Sequence, residues 1–140
     1  MTSPHRSERG SVAVETAIIA PALVALLLLV VFAGRVSQAE AEVRRAASEG
    51  ARAASLEYFE DAAQTAATDR VAENLKDNGV VCAELATEVD TSELVPGGSV
   101  SVTVHCTADM ADVALLGVPG KRTFVARSIE VVDRYRGSGS

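Results

Sequence analysis

Few residues in this chain have a type and spacing that could do chemistry, and the most telling is Glu15. It is a carboxylate inside VAVETAIIAPALVALLLLVVFAG, Val12 to Gly34, which carries no other charge. At ~1.5 Å per residue this run makes a helix of roughly 34 Å, enough to cross a hydrocarbon core of about 30 Å. A charge in such a segment costs on the order of 2.5–3.5 kcal/mol, so it is usually paired or functional. The chemistry it suggests is ion pairing in lipid. Gly10 stands five residues ahead of it and is followed by Ser11.

The second pair is Cys82 and Cys106, well beyond the apolar run and 24 apart, with no CxxC. A disulfide is open to them if that part of the chain faces an oxidising exterior. The remaining candidates are weak. His5 lies near the N-terminus and His105 on the polar side of an alternating segment. Asp109 and Asp112 are two carboxylates, too few to suggest a calcium site. No nucleophile has a base at a telling distance, and no His, Cys or Asp pair has metal-ligand spacing. The expectation is a non-enzyme with no cofactor and no metal.

Residues 8 to 36, ERGSVAVETAIIAPALVALLLLVVFAGRV, resemble the N-terminal segment of TadE-like pseudopilins, minor components of the bacterial tight-adherence (Flp-type) pilus machinery. The likeness rests on Gly10, Glu15, Pro21, the Leu/Val run and the Gly34-Arg35 exit. Flp-type prepilins usually carry an aromatic residue after the glutamate, where this chain has Thr16. The resemblance implies prepilin-type cleavage between Gly10 and Ser11 by a prepilin peptidase, with retention of the helix. It also implies that Glu15 pairs with the freed amine of Ser11 in a neighbouring subunit. The partners it implies are other pilins or pseudopilins, inner-membrane pilus assembly proteins and the lipid bilayer.

Two other readings of the N-terminus stand beside this one. A secretory signal would be cut after a short apolar core, and Val31-Phe32-Ala33 and Ser37-Gln38-Ala39 loosely fit the cleavage rule. The run is long for a signal, and it carries Glu15. A plain membrane anchor would show no processing at Gly10. Basic residues flank both ends of the run, Arg6 and Arg9 before it and Arg35, Arg44 and Arg45 after it, so charge does not set its orientation. The resemblance implies a single-pass protein of the cell membrane with a cytoplasmic N-terminus and an extracytoplasmic C-terminal region.

With 140 residues, the chain has room for one small domain beside such a helix. Aromatics are 4% with no Trp, so a stacking platform for bases is not expected, and a net charge of −6 argues against nucleic acid. Residues 1–10 read as a polar leader, 11–35 as the membrane helix and 36–79 as an alanine-rich helix without proline. Pro21 is a candidate kink in the span. In the alanine-rich stretch, Gly50 is the weak point, costing roughly 1 kcal/mol against alanine. Asn78-Gly79 is the expected stop, and Glu40–Arg44 an expected surface pair.

After Gly79 the period becomes strand-like, so 80–134 reads as a small antiparallel sheet and 135–140 as a flexible tail. Val81 to Asp90 and Ser99 to Cys106 alternate around the turn signal Val95-Pro96-Gly97-Gly98. A tight turn at Pro96-Gly97 would set Val89 opposite Val104 and Thr87 opposite Cys106. A third strand is expected over Arg122–Val132, with Met110–Gly117 a short helix or an apolar loop. In that register Cys82 is about 16 Å along the strand from the position opposite Cys106, and on the other face. The bond then needs Cys82 in a bent connection, or a bulge that shifts the face. The disulfide is expected over two free thiols.

The fold class expected is therefore α+β and pilin-like, with a membrane helix, its alanine-rich extension and about three antiparallel strands. The expected role is a non-catalytic minor subunit supporting assembly of a Flp-type pilus. The alternatives are a plain membrane-anchored envelope protein and a secreted interaction protein released by signal peptidase.

Overall fold

A computed structural model describes residues 8–109 and 120–137. Its elements run α1 (Glu8–Ser55), α2 (Glu60–Asp77), β1 (Glu84–Glu93), β2 (Ser99–Asp109) and β3 (Lys121–Val131). This is the expected α+β plan. By packing, the chain divides after Ser37 into two units. The stretch Met110–Gly117 lies outside the described residues.

The first unit holds the N-terminal part of α1. The helix takes in Glu8, Arg9 and Gly10, which the sequence reading assigns to the leader, and it continues through Pro21. Its apolar side chains face outward with no protein over them: Ile18, Leu23, Leu27, Leu29 and Val30 are all more than half exposed. Among the described residues, this is the one helix long and apolar enough to cross a membrane. That is compatible with membrane anchoring.

The second unit corrects the expectation of one helix over 36–79. The chain breaks between Ser55 and Glu60, not at Gly50. Its last turn tightens, with Leu56 N–H on Ala53 O at 3.3 Å and Glu57 N–H on Ala54 O at 3.1 Å. Phe59, in extended conformation, then starts α2 without a side-chain cap. The cause is packing. Ala46, Ala47 and Ala54 on α1 and Ala63 and Ala67 on α2 are fully buried. A single straight helix would leave those faces in water, so folding back is what removes them from it.

Gly50 is not a weak point but a place of close approach. A Cβ built there would stand 2.7 Å from Val71 Cγ2, 3.3 Å from Ala67 O and 3.5 Å from Val102 Cγ1. The α2 helix ends as expected. Gly79, at φ 71°, donates its N–H to Lys76 O, and Val80 donates to Leu75 O. These two bonds form the paired closure of a helix by a left-handed glycine.

The three strands form an antiparallel sheet in the order β1-β2-β3. Val100, Val102, Val104 and Cys106 of β2 are buried, so even-numbered β2 positions face the helices. Pro96-Gly97 does make the turn: Gly97 has φ 82°, and Gly98 N–H donates to Val95 O at 2.8 Å. That is a type II turn with Pro and Gly in their favoured places. The register nevertheless differs from the expected one by two residues. Val89 faces Val102, Thr87 faces Val104 and Leu85 faces Cys106.

The difference has two parts. Leu94 and Val95 bond back to Thr91 O and Glu93 O instead of pairing with β2, so the loop is longer than a tight turn. A bulge between Asp90 and Glu93 supplies the rest. It sets the Thr91 side chain in the core and brings Glu93 to the solvent face, where Ser99 Oγ donates to its Oε2 at 3.1 Å. Without that extra residue the alternation would point Glu93 inward. A shift of two keeps every side chain on its face, which is why the expected core face survives the changed register.

Candidate functional site

Two regions carry the candidate residues, one in each unit. In the first, Glu15 lies exposed on α1 amid apolar side chains. The Gly10–Ser11 bond is helical backbone. Ser11 and Glu15 are four residues apart on that helix, which places their Cα atoms one turn apart on one side. A chain beginning at Ser11 would therefore put its own α-amine, as well as the partial positive charge of a helix start, within one turn of the carboxylate. Thr16 and Pro21 lie within the same helix. What this arrangement can do chemically is hold a positive charge at the head of an apolar helix.

In the second, the sheet and helices position Cys82 and Cys106, which are disulfide-bonded with Cα atoms 5.3 Å apart. The obstacle raised by the sequence register is removed because Cys82 is not on a strand. It belongs to the bent connection from α2 to β1, and β1 begins only at Glu84. Ala83 N–H donates to Thr107 O at 2.7 Å, which brings the connection onto the end of β2. Cys106 is fully buried on the core face. The bond thus ties the exit of α2 to the central strand.

His105 sits on the solvent face of β2, with Nε2 3.9 Å from Glu88 Oε1. His5 and Asp112 lie outside the described residues, while Asp109 ends β2 opposite Lys121. Among the described residues no group of three or more His, Cys, Asp or Glu is placed to hold a metal ion. Glu40 and Arg44 form the expected pair at 3.0 Å.

Arg136 corrects the expectation of a flexible tail over 135–140, because it is held against the end of α1. It donates from Nη1 to Ser55 O at 3.0 Å and also to Glu57 O, and its guanidinium lies 4.8 Å over the Tyr58 ring. It satisfies carbonyls that the end of α1 leaves open. No local signal marks it, because the residue and its acceptors are 81 and 79 positions apart.

Residues 10–52 match the family model described as TadE-like protein. The matched segment contains Gly10, Ser11, Glu15, Pro21 and most of α1, so the TadE-like resemblance read in the sequence holds over it. No curated protein and no solved structure matches the chain.

Proposed function

We propose that this chain is a non-catalytic, single-pass membrane pseudopilin that supports assembly of a Tad-type pilus as a minor subunit. The observation that carries the reading is coincidence: the TadE-like match, the apolar exposed part of α1 and the Gly10/Glu15 spacing fall on the same residues. An apolar helix with no protein over it needs another solvent, and lipid supplies one. The C-terminal unit, closed by a disulfide, suits an oxidising extracytoplasmic compartment.

In this reading a prepilin peptidase cuts between Gly10 and Ser11. Glu15 then neutralises the Ser11 amine of an adjoining pilin or pseudopilin as helices pack side by side in the membrane. Each charge alone in lipid is costly, and the pair offsets much of that cost. N-terminal sequencing of the chain purified from a strain with a working prepilin peptidase tests it. A mature terminus at Ser11 is expected. An intact leader would favour the plain anchor, and a terminus near Gly34 or Glu40 the secreted alternative.

A further inference from the structure

The sheet has two free edges of opposite charge. Among the described residues no strand pairs with the outer side of β1 or of β3. The β1 strand carries Glu84, Glu88, Asp90 and Glu93 and no basic residue. The β3 strand carries Lys121, Arg122 and Arg127 against a single Glu130. Both strands are largely exposed along their lengths.

The faces agree as well. Glu84, Glu88, Asp90 and Glu93 stand opposite Thr107, Thr103, Ser101 and Ser99 of β2, on the solvent side of the sheet. Lys121 and Arg127 stand opposite Asp109 and Thr103, on the same side. Since both outer strands are antiparallel to β2, they are parallel to one another. Their spacings match: Glu84 and Asp90 are six residues apart, as are Lys121 and Arg127. Laid side by side in parallel, the strands bring Glu84 to Lys121 and Asp90 to Arg127 in one register, with Arg127 giving up the Ser101 Oγ that it holds within its own chain at 3.2 Å to reach the neighbour's carboxylate. Those contacts fall about 20 Å apart along the ladder.

We propose that a second copy of this chain docks here, with β1 of one copy adding to β3 of the next and continuing the sheet across the two. An unpaired edge offers a row of N–H and C=O groups to any strand that reaches it, and charge selects which one does. Two β1 edges would oppose acid to acid, and two β3 edges would bring basic residue to basic residue. Only the β1–β3 junction is attractive. It is a head-to-tail contact, which leaves a free edge of each kind at the ends and can therefore repeat. The inference stands on the sheet and is independent of whether Gly10 is processed.

The test uses the full chain in membranes. Two differently tagged copies are co-expressed, one carrying Asp90→Cys and the other Arg127→Cys, and treated with a short bifunctional thiol reagent. Both positions are on the solvent face, and formation of the native disulfide reports folding. A mixed dimer is expected at a yield roughly tenfold above either variant alone, because neither like pair of edges meets. A second arm reverses charge. Glu84→Lys with Asp90→Lys, or Lys121→Glu with Arg127→Glu, should each lose self-association, and mixing the two should restore it. The proposal is overturned by folded chains that give no mixed dimer, by Asp90→Cys capturing a protein of different sequence instead, or by reversed pairs that do not restore association.

Discussion

A Cβ on Gly50 would stand 2.7 Å from Val71 Cγ2, closer than side-chain carbons approach one another. Val71 is fully buried and β-branched, so it has little room to turn away. Helix propensity alone says that Gly50→Ala should stabilise α1 by roughly 1 kcal/mol. The crossing says the reverse, because overpacking a filled core costs about 1–3 kcal/mol. We expect net destabilisation, relieved in Gly50→Ala with Val71→Ala, as measured by thermal or denaturant unfolding. A Gly50→Ala chain more stable than the parent would refute the close approach.

The disulfide should contribute substantially to so small a unit. Cys82→Ser is expected to cost about 2–5 kcal/mol, the usual range for a native bridge in a small domain. The bridge also holds the α2 exit to β2, so its loss should raise amide exchange first around Val80 to Glu84. Alkylation of both thiols in the purified chain without reductant would show that the bond is not formed.

Asp90 links the bulge to pH. Its carboxyl is held below the usual range, chiefly by the Ser92 side chain and then by the Ser92 N–H, which donates to Oδ1 at 3.1 Å. Slight desolvation opposes this, and the Arg127 charge assists. A carboxyl whose folded pKa is depressed contributes stability that is complete above its unfolded value, about 3.9, and is lost as pH falls through the folded one. Melting temperature should therefore drop less on acidification below about pH 4 in Asp90→Asn than in the parent. Identical acid profiles would remove Asp90 from the account.

Arg136 is expected to resist conservative exchange. Its planar guanidinium reaches two carbonyls and a ring at once, whereas an ammonium is a compact charge without that fork. Arg136→Lys should lose about 1–2 kcal/mol, and Arg136→Ala more, since carbonyls at the end of α1 then lose their donor. Unfolding of the oxidised chain measures it. Equal stability of all three would mean that water replaces the side chain at no cost.

Glu15→Gln separates assembly from anchoring. A neutral amide is cheaper in lipid than a carboxylate, so membrane levels should hold or rise. If Glu15 answers the Ser11 amine of a neighbour, the same exchange should reduce crosslinking to pilus components and piliation. Normal piliation with normal membrane levels would leave a plain anchor as the better reading.

Much of this was legible because periodicity and punctuation are local. The apolar run, the Asn78-Gly79 stop, the Pro96-Gly97 turn and the alternation of β2 are each encoded within a few residues. The break after Ser55 was not, because Leu56-Glu57-Tyr58-Phe59 contains neither Gly nor Pro, and no Ser, Thr, Asn or Asp caps α2. It is imposed by packing, where Gly50 on α1 meets Val71 and the Ala67 carbonyl on α2. The β1–β2 register failed by two residues because the Thr91-Ser92 bulge responds to where Glu93 would otherwise point. Gly50 was misjudged for the same reason: propensity sees the helix, and only the fold sees Val71.

The clamp by Arg136 has a consequence in time. Its acceptor on Ser55 precedes it by 81 residues, so a ribosome adding about 5–20 residues per second delivers the guanidinium roughly 4–16 s after the carbonyl. During that interval the end of α1 is closed by water alone, and the alanine faces that depend on the fold-back are held by less than the finished molecule offers. The N-terminal helix is thus complete before the unit that follows it is locked. A chain interrupted anywhere short of Arg136 would present an unlocked helix end.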